Sequence, residues 1–166
     1  MICYMDNKTA IYQTIKDARE YLKLFKLELE VRMDEDDIFE MKRVYGDFIG
    51  MYEHESIFSG TVIIYLNVDD LEEASEADDF YYDVIVTIYH EIGHALFELI
   101  MSITEEDVKK YEEAYFNVFF DDNGIDEEEL VEDFGQSFDP TLETKSELRE
   151  LLSHMLSDDF DFGKYI

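Results

Sequence analysis

Cysteine is almost absent: Cys3 stands alone in 166 residues, which excludes an internal disulfide framework and any cysteine-rich metal cluster. Basic residues are also few, 13 against 43 acidic ones, for a net charge of −30. Such a surface repels nucleic-acid backbones and acidic membranes and attracts basic partners or cations. No basic stretch followed by an apolar core and a small-residue cleavage site opens the chain, so no secretory leader is expected. The short apolar runs, such as TVIIYL at 61–66, fall well below membrane-spanning length. Phosphate-cradling glycine patterns are missing. The only proline is Pro140, and no linker or internal repeat divides the sequence. A soluble, cytoplasmic protein of one domain over 1–166 is the expectation, with no membrane and no direct nucleic-acid binding; oligomeric state is not legible.

What is present is enough to build a core: 46% hydrophobic residues, with 13 phenylalanines and 12 tyrosines. Residues 9–27 carry Ile11, Ile15, Ala18, Leu22 and Phe25 at helical spacing. LELEVRM at 27–33 alternates with period two, as a half-buried strand does. After a turn at Asp34–Asp37, the chain to Ile49 reads as a helix giving way to a strand near 44–52. Ser59–Gly60 is a turn, and TVIIYLNV at 61–68 is the strongest strand. The polar run 69–79 caps or precedes a long helix from Phe80 to Met101, apolar over most of its circumference and therefore expected at the centre. A helix over 104–120, a break at 121–126, a helix from Asp126 or Glu127, an amphipathic helix after Pro140 and an extended or loose end complete the pattern. The fold class is α+β.

The central helix contains YHEIGHALFEL at 89–99, two of the chain's four histidines set four apart. On a helix they share one side with roughly 6 Å of rise between them, so His90 and His94 can aim at one ion. Glu91, about 100° away, is placed to act on water at that ion. A chance match to this pattern in so acidic a chain has a probability on the order of 1%. Two imidazoles on an apolar helix need polar partners or a metal. Gly93 costs roughly 0.5–1 kcal/mol relative to alanine inside a helix, and its missing side chain admits close packing by a strand or another helix.

A catalytic zinc takes three protein ligands and leaves one position open. The third is expected from DEEELVEDFGQSF at 126–138, where Leu130, Val131, Phe134 and Phe138 mark a buried face and Glu128 borders it. Glu132, one turn on, is then the residue to orient a ligating histidine. The alternative register uses Glu129 as ligand and Asp133 as orienter; Glu132, His54 and His154 remain further candidates for the ligand. FFDDNGIDEEEL at 119–130 is not a calcium loop, since no register puts glycine at position 6 with glutamate at 12.

These segments resemble the gluzincin-type zinc metallopeptidases, in particular the ImmA/IrrE group and the anthrax lethal factor catalytic domain. YHEIGHALFEL matches their active-site helix, TVIIYLNV precedes it in the usual order, and Glu128, Glu132 and Phe134 follow the spacing of their third-ligand helix. Val131 and Gly135 stand where those relatives commonly have alanine. The resemblance covers about 44–138. It implies a compact zincin-like fold with a small mixed sheet packed on the HExxH helix, Zn²⁺ as cofactor, and hydrolysis of a protein or peptide, a basic one given the charge. In that reading Glu91 accepts the proton of the attacking water and passes it to the departing amine. Tyr111, Tyr115 and His154 are candidate donors to the transition state, and Glu98 a candidate support for the ligands. The rival expectation is an acidic, non-catalytic interaction protein or DNA mimic that keeps zinc for structure.

Whatever the activity, 30 uncompensated negative charges repel one another in the compact state. Added NaCl is expected to raise the urea midpoint of unfolding, because it screens that repulsion.

Overall fold

The computed structural model describes residues 5–111 and 126–166. Cys3, Tyr115, the rest of the helix expected to 120 and most of the break at 121–126 lie outside the described residues. The chain is α+β: among the described residues there are seven α-helices and one three-stranded mixed sheet.

Helix α1 (Asn7–Lys23) begins where the Asp6 carboxylate accepts the Thr9 N–H at 2.7 Å, and buries Ala10, Ile11, Thr14, Ile15, Ala18 and Leu22 along one face. Lys26, at φ 59°, turns the chain into β1 (Glu28–Arg32). Helix α2 (Glu35–Tyr45) is capped by Asp34 and buries only Ile38. It leads to the short β2 (Gly50–Tyr52), a 3₁₀ turn at Ser56–Ser59, and β3 (Thr61–Leu66). The strand order is β1-β3-β2, with β1 parallel and β2 antiparallel to β3. β3 is central and its Val62, Ile64 and Leu66 are fully buried, so the most β-branched stretch of the sequence occupies the middle of the sheet. Both outer strands have an outward backbone group met by a helix side chain. Leu29 O accepts from Arg19 Nε at 3.4 Å, and Tyr52 N–H donates to Glu91 Oε2 at 2.9 Å.

The polar run after β3 forms a helix of its own, α3 (Val68–Ala74). Asn67 starts it by accepting the Asp70 N–H while its amide nitrogen donates to Phe48 O. Helix α4 (Phe80–Met101) has the bounds the apolar pattern predicts and lies at the centre, against α1, the sheet and a later helix. It is long and apolar enough to cross a membrane by length and composition, a length the short apolar runs did not suggest. Yet 67% of its most apolar window is buried within the fold, as in a core helix. Helix α5 (Glu105–Val108) runs into a 3₁₀ turn ending at Tyr111. Helix α6 (Glu127–Gln136) follows its N-cap Asp126, and α7 (Glu147–Ser157) follows Ser146. The terminal stretch is neither extended nor loose. Residues Phe162–Tyr165 form a 3₁₀ turn, and the buried Phe162 ring meets Phe25 edge-on at 4.9 Å.

Two glycines set how α4 and α6 meet. A Cβ on Gly93 would stand 3.0 Å from Phe134 Cδ1 and 3.2 Å from Val131 Cβ, so the close partner anticipated for Gly93 is a helix rather than a strand. A Cβ on Gly135 would stand 2.7 Å from the Val86 carbonyl oxygen and 3.0 Å from His90 N. The second obstruction is backbone and cannot swing away; the first is side chain. Gly135→Ala is therefore expected to destabilise by about 1–3 kcal/mol, and Gly93→Ala by less. Thermal unfolding of the two variants beside the parent checks the order.

Candidate metal centre

His90 and His94 project from the same side of α4, their rings 5.0 Å apart at a steep mutual angle. The crossing at Gly93 and Gly135 brings the first turn of α6 over them. Glu128 Oε2 lies 3.4 Å from His90 Nε2, and Glu128 Oε1 lies 3.1 Å from His94 Nε2. One carboxylate thus faces both imidazoles, although Glu128 itself is largely exposed. Four ligands at about 2.0–2.1 Å from a tetrahedral ion stand about 3.3 Å from one another. The two observed separations match that edge, and a two-imidazole, one-carboxylate set is a donor set zinc takes. Two groups, His90–Glu91–His94 and His94–Glu127–Glu128, each bring their ligand atoms within 4.8 Å of one another. The residues present fit a zinc ion.

Glu127 adds what the sequence reading assigned elsewhere. Its Oε2 lies 2.8 Å from His94 Nδ1, so the imidazole that donates there keeps its Nε2 lone pair facing Glu128. The expected orienter, Glu132, instead accepts from Gln136 Nε2 at 3.4 Å and reaches His90 as a nearby negative charge. The reason lies in where α6 begins. Glu127 and Glu128 occupy its opening turn and fan toward α4 together, whereas Glu132 is a full turn further along. Neighbouring acids in the first turn also sit well with the helix dipole, so composition alone does not single out Glu127.

Glu91 is buried, 9% exposed, and its carboxylate is held by the Tyr52 N–H of β2. Burial is the largest influence on its acidity and pushes the carboxyl above the ordinary glutamate range; His94 and the Tyr52 N–H pull it back. Burial likewise lowers the pKa of His90, assisted by His94 and opposed by the charges of Glu128 and Glu132, which favours the neutral, ligating form.

The remaining candidates divide by position. Glu98 lies one turn beyond His94 with its Oε2 3.6 Å from His54 Nε2, and among the described residues no hydrogen bond or ion pair joins it to His90 or His94. Glu129 is exposed at the start of α6, where its N–H donates to Asp126 Oδ1. Asp133 is half-buried, and burial raises its pKa; the alternative register built on Glu129 and Asp133 makes no contact with the histidine pair among the described residues. His54 lines the adjoining groove, 79% exposed, with its ring nitrogens 3.8 Å from Glu55 Oε1 and 3.6 Å from Glu98 Oε2. Tyr111 is buried against Phe160, centroids 6.0 Å apart, and His154 lines a separate groove with Arg149 and Ser146. Neither of these two lines the groove at Glu91, and Tyr115 lies outside the described residues.

No protein-family model, curated protein or solved structure matches the chain.

If Glu127 fixes the His94 tautomer, Glu127→Ala is expected to weaken Zn²⁺ binding roughly 10- to 100-fold, with a larger loss for Glu128→Ala. Glu132→Ala should change it little. Competition titration against a chromophoric chelator separates the three.

Proposed function

We propose that the protein is a zinc-dependent peptidase of the gluzincin type, with His90, His94 and Glu128 as metal ligands and Glu91 as general base. The observation that carries this reading is the meeting of one carboxylate, Glu128, with both imidazole Nε2 atoms beside a buried and hydrogen-bonded Glu91. The order of strand β3, helix α4 and carboxylate helix α6 supports the zincin-like fold, as does the small mixed sheet beside the central helix.

Zinc bound there supplies a Lewis acid that polarises a carbonyl and makes water a nucleophile near neutral pH. The chain's own residues do the rest. Glu127 holds His94 in the tautomer that leaves Nε2 free. The Tyr52 N–H restrains the Glu91 carboxylate in one orientation, so its other oxygen is the one left to take a proton from the attacking water. Glu91 then returns that proton to the nitrogen of the departing amine. The low accessibility of Glu91 limits bulk water around the exchange.

A net charge of −30 favours a second reading, an acidic binding protein that keeps zinc for structure. Glu91→Gln separates the two. It retains an acceptor for the Tyr52 N–H, so zinc content and melting temperature are expected to hold. Hydrolysis of a casein or peptide-mixture substrate is expected to fall at least about 10²-fold. Unchanged hydrolysis in the variant would sink the proposed role of Glu91; stoichiometric binding of a basic protein without any cleavage by the parent would favour the second reading.

A further inference from the structure

A groove of about 540 Å³ opens beside Glu91 and His94, between β2 and the last turns of α4. Met51, Phe97 and Met101 give it apolar walls, and Glu98 and Glu127 give it carboxylates at separate points. Among the described residues, no lysine or arginine lines it. Glu98 is the feature that the proposed hydrolysis leaves without a role. Its side chain is only 17% exposed, and Oε1 is buried with no hydrogen-bond partner among the described residues. Among the described residues the cation-forming group paired with it is His54, whose Nε2 stands 3.6 Å from Oε2, longer than a hydrogen bond, on a side chain that is 79% exposed.

A carboxylate withdrawn from water without a fitted cation is costly, and an entering cation relieves that cost. His54 is exposed and its two carboxylate contacts, to Glu55 at 3.8 Å and Glu98 at 3.6 Å, are both longer than hydrogen bonds, so it does not fill that place. Apolar walls leading to a carboxylate suit a side chain with a methylene stem and a charged head. An acidic side chain would meet Glu98 and Glu127 together, and a purely apolar one would leave Glu98 as it is.

We propose that this groove receives a lysine or arginine side chain of the substrate polypeptide, with Glu98 as the specificity-determining residue. The assignment of the occupant as substrate rests on the peptidase reading above. The groove's proximity to Glu91 puts the recognised residue close to the scissile bond, and the acidic body of the protein adds long-range attraction for basic polypeptides without selecting a position within them.

The test uses zinc-loaded Glu91→Gln protein, which should bind substrate without turning it over, and fluorescent nonapeptides in which one lysine or one norleucine is scanned along a constant sequence. At one position of the scan, lysine is expected to tighten binding by about tenfold or more over norleucine. Adding Glu98→Gln, which keeps shape and removes charge, should abolish that difference. Adding Glu35→Gln, an equal change of charge on exposed α2, should preserve it. Equal binding of lysine and norleucine peptides at every position overturns the proposal, as does a preference lost equally in both added variants. Cleavage by the parent protein separates this from the peptidase reading. Peptides cut without lysine or arginine preference overturn the groove assignment and leave hydrolysis standing. A Glu98-dependent lysine preference in binding, with no peptide cut, supports the groove and counts against hydrolysis.

Discussion

The distance between α4 and α6 governs everything proposed for this protein. Glu128 meets two imidazoles only because the helices cross with almost no side chain between them at Gly93 and Gly135, where Val131, Phe134 and the backbone around His90 fill the contact. An ordinary helix pair stands 8–10 Å apart, with the spacing set by the side chains at the contact. Removing those side chains draws the axes together. The cost of two glycines inside helices, roughly 0.5–1 kcal/mol each, is offset by apolar burial on both sides of the crossing. Structural economy and site geometry thus depend on the same two positions.

That constraint makes the centre a product of three segments far apart in sequence. Strand β2 contributes the Tyr52 N–H, α4 the histidines and Glu91, and α6 the pair Glu127 and Glu128. Each group is held by backbone of a regular element rather than by a loop, which favours a defined arrangement of ligand atoms. The charges also divide by function. Among the described acids of the centre, Glu91 is buried and Glu98 beside it mostly so, while Glu127 and Glu128 remain open to solvent and so face the imidazoles at lower desolvation cost.

How much of this was legible in the sequence varies with the range of the interaction. Helix α4 and strand β3 were readable to within a residue or two because burial over most of a helix, or on both faces of a strand, leaves long apolar patterns. That Glu128 faces α4 was suggested by its place beside the buried face of α6. Glu127 was not, because which of three consecutive first-turn acids reaches His94 depends on the crossing of two helices. Helix α3 was hidden in a charge run that its Asn67 cap organises. The end of the chain was misread because its order comes from Phe162 packing against Phe25, a contact across almost the whole sequence. Tyr111 and His154 were plausible by chemistry, but the fold turns one toward Phe160 and the other toward a separate groove.

The two side chains that meet the outer strands of the sheet have a consequence outside any catalytic role. A three-stranded sheet has two open edges, each a template on which another chain can add a strand. Here Arg19 takes the Leu29 carbonyl on one edge, and Glu91 takes the Tyr52 N–H on the other. The carboxylate at the centre is therefore also a plug against edge-to-edge association. A replacement there that lacks an acceptor would unmask a strand edge, so solubility would come to depend on the same residue as the chemistry proposed for it.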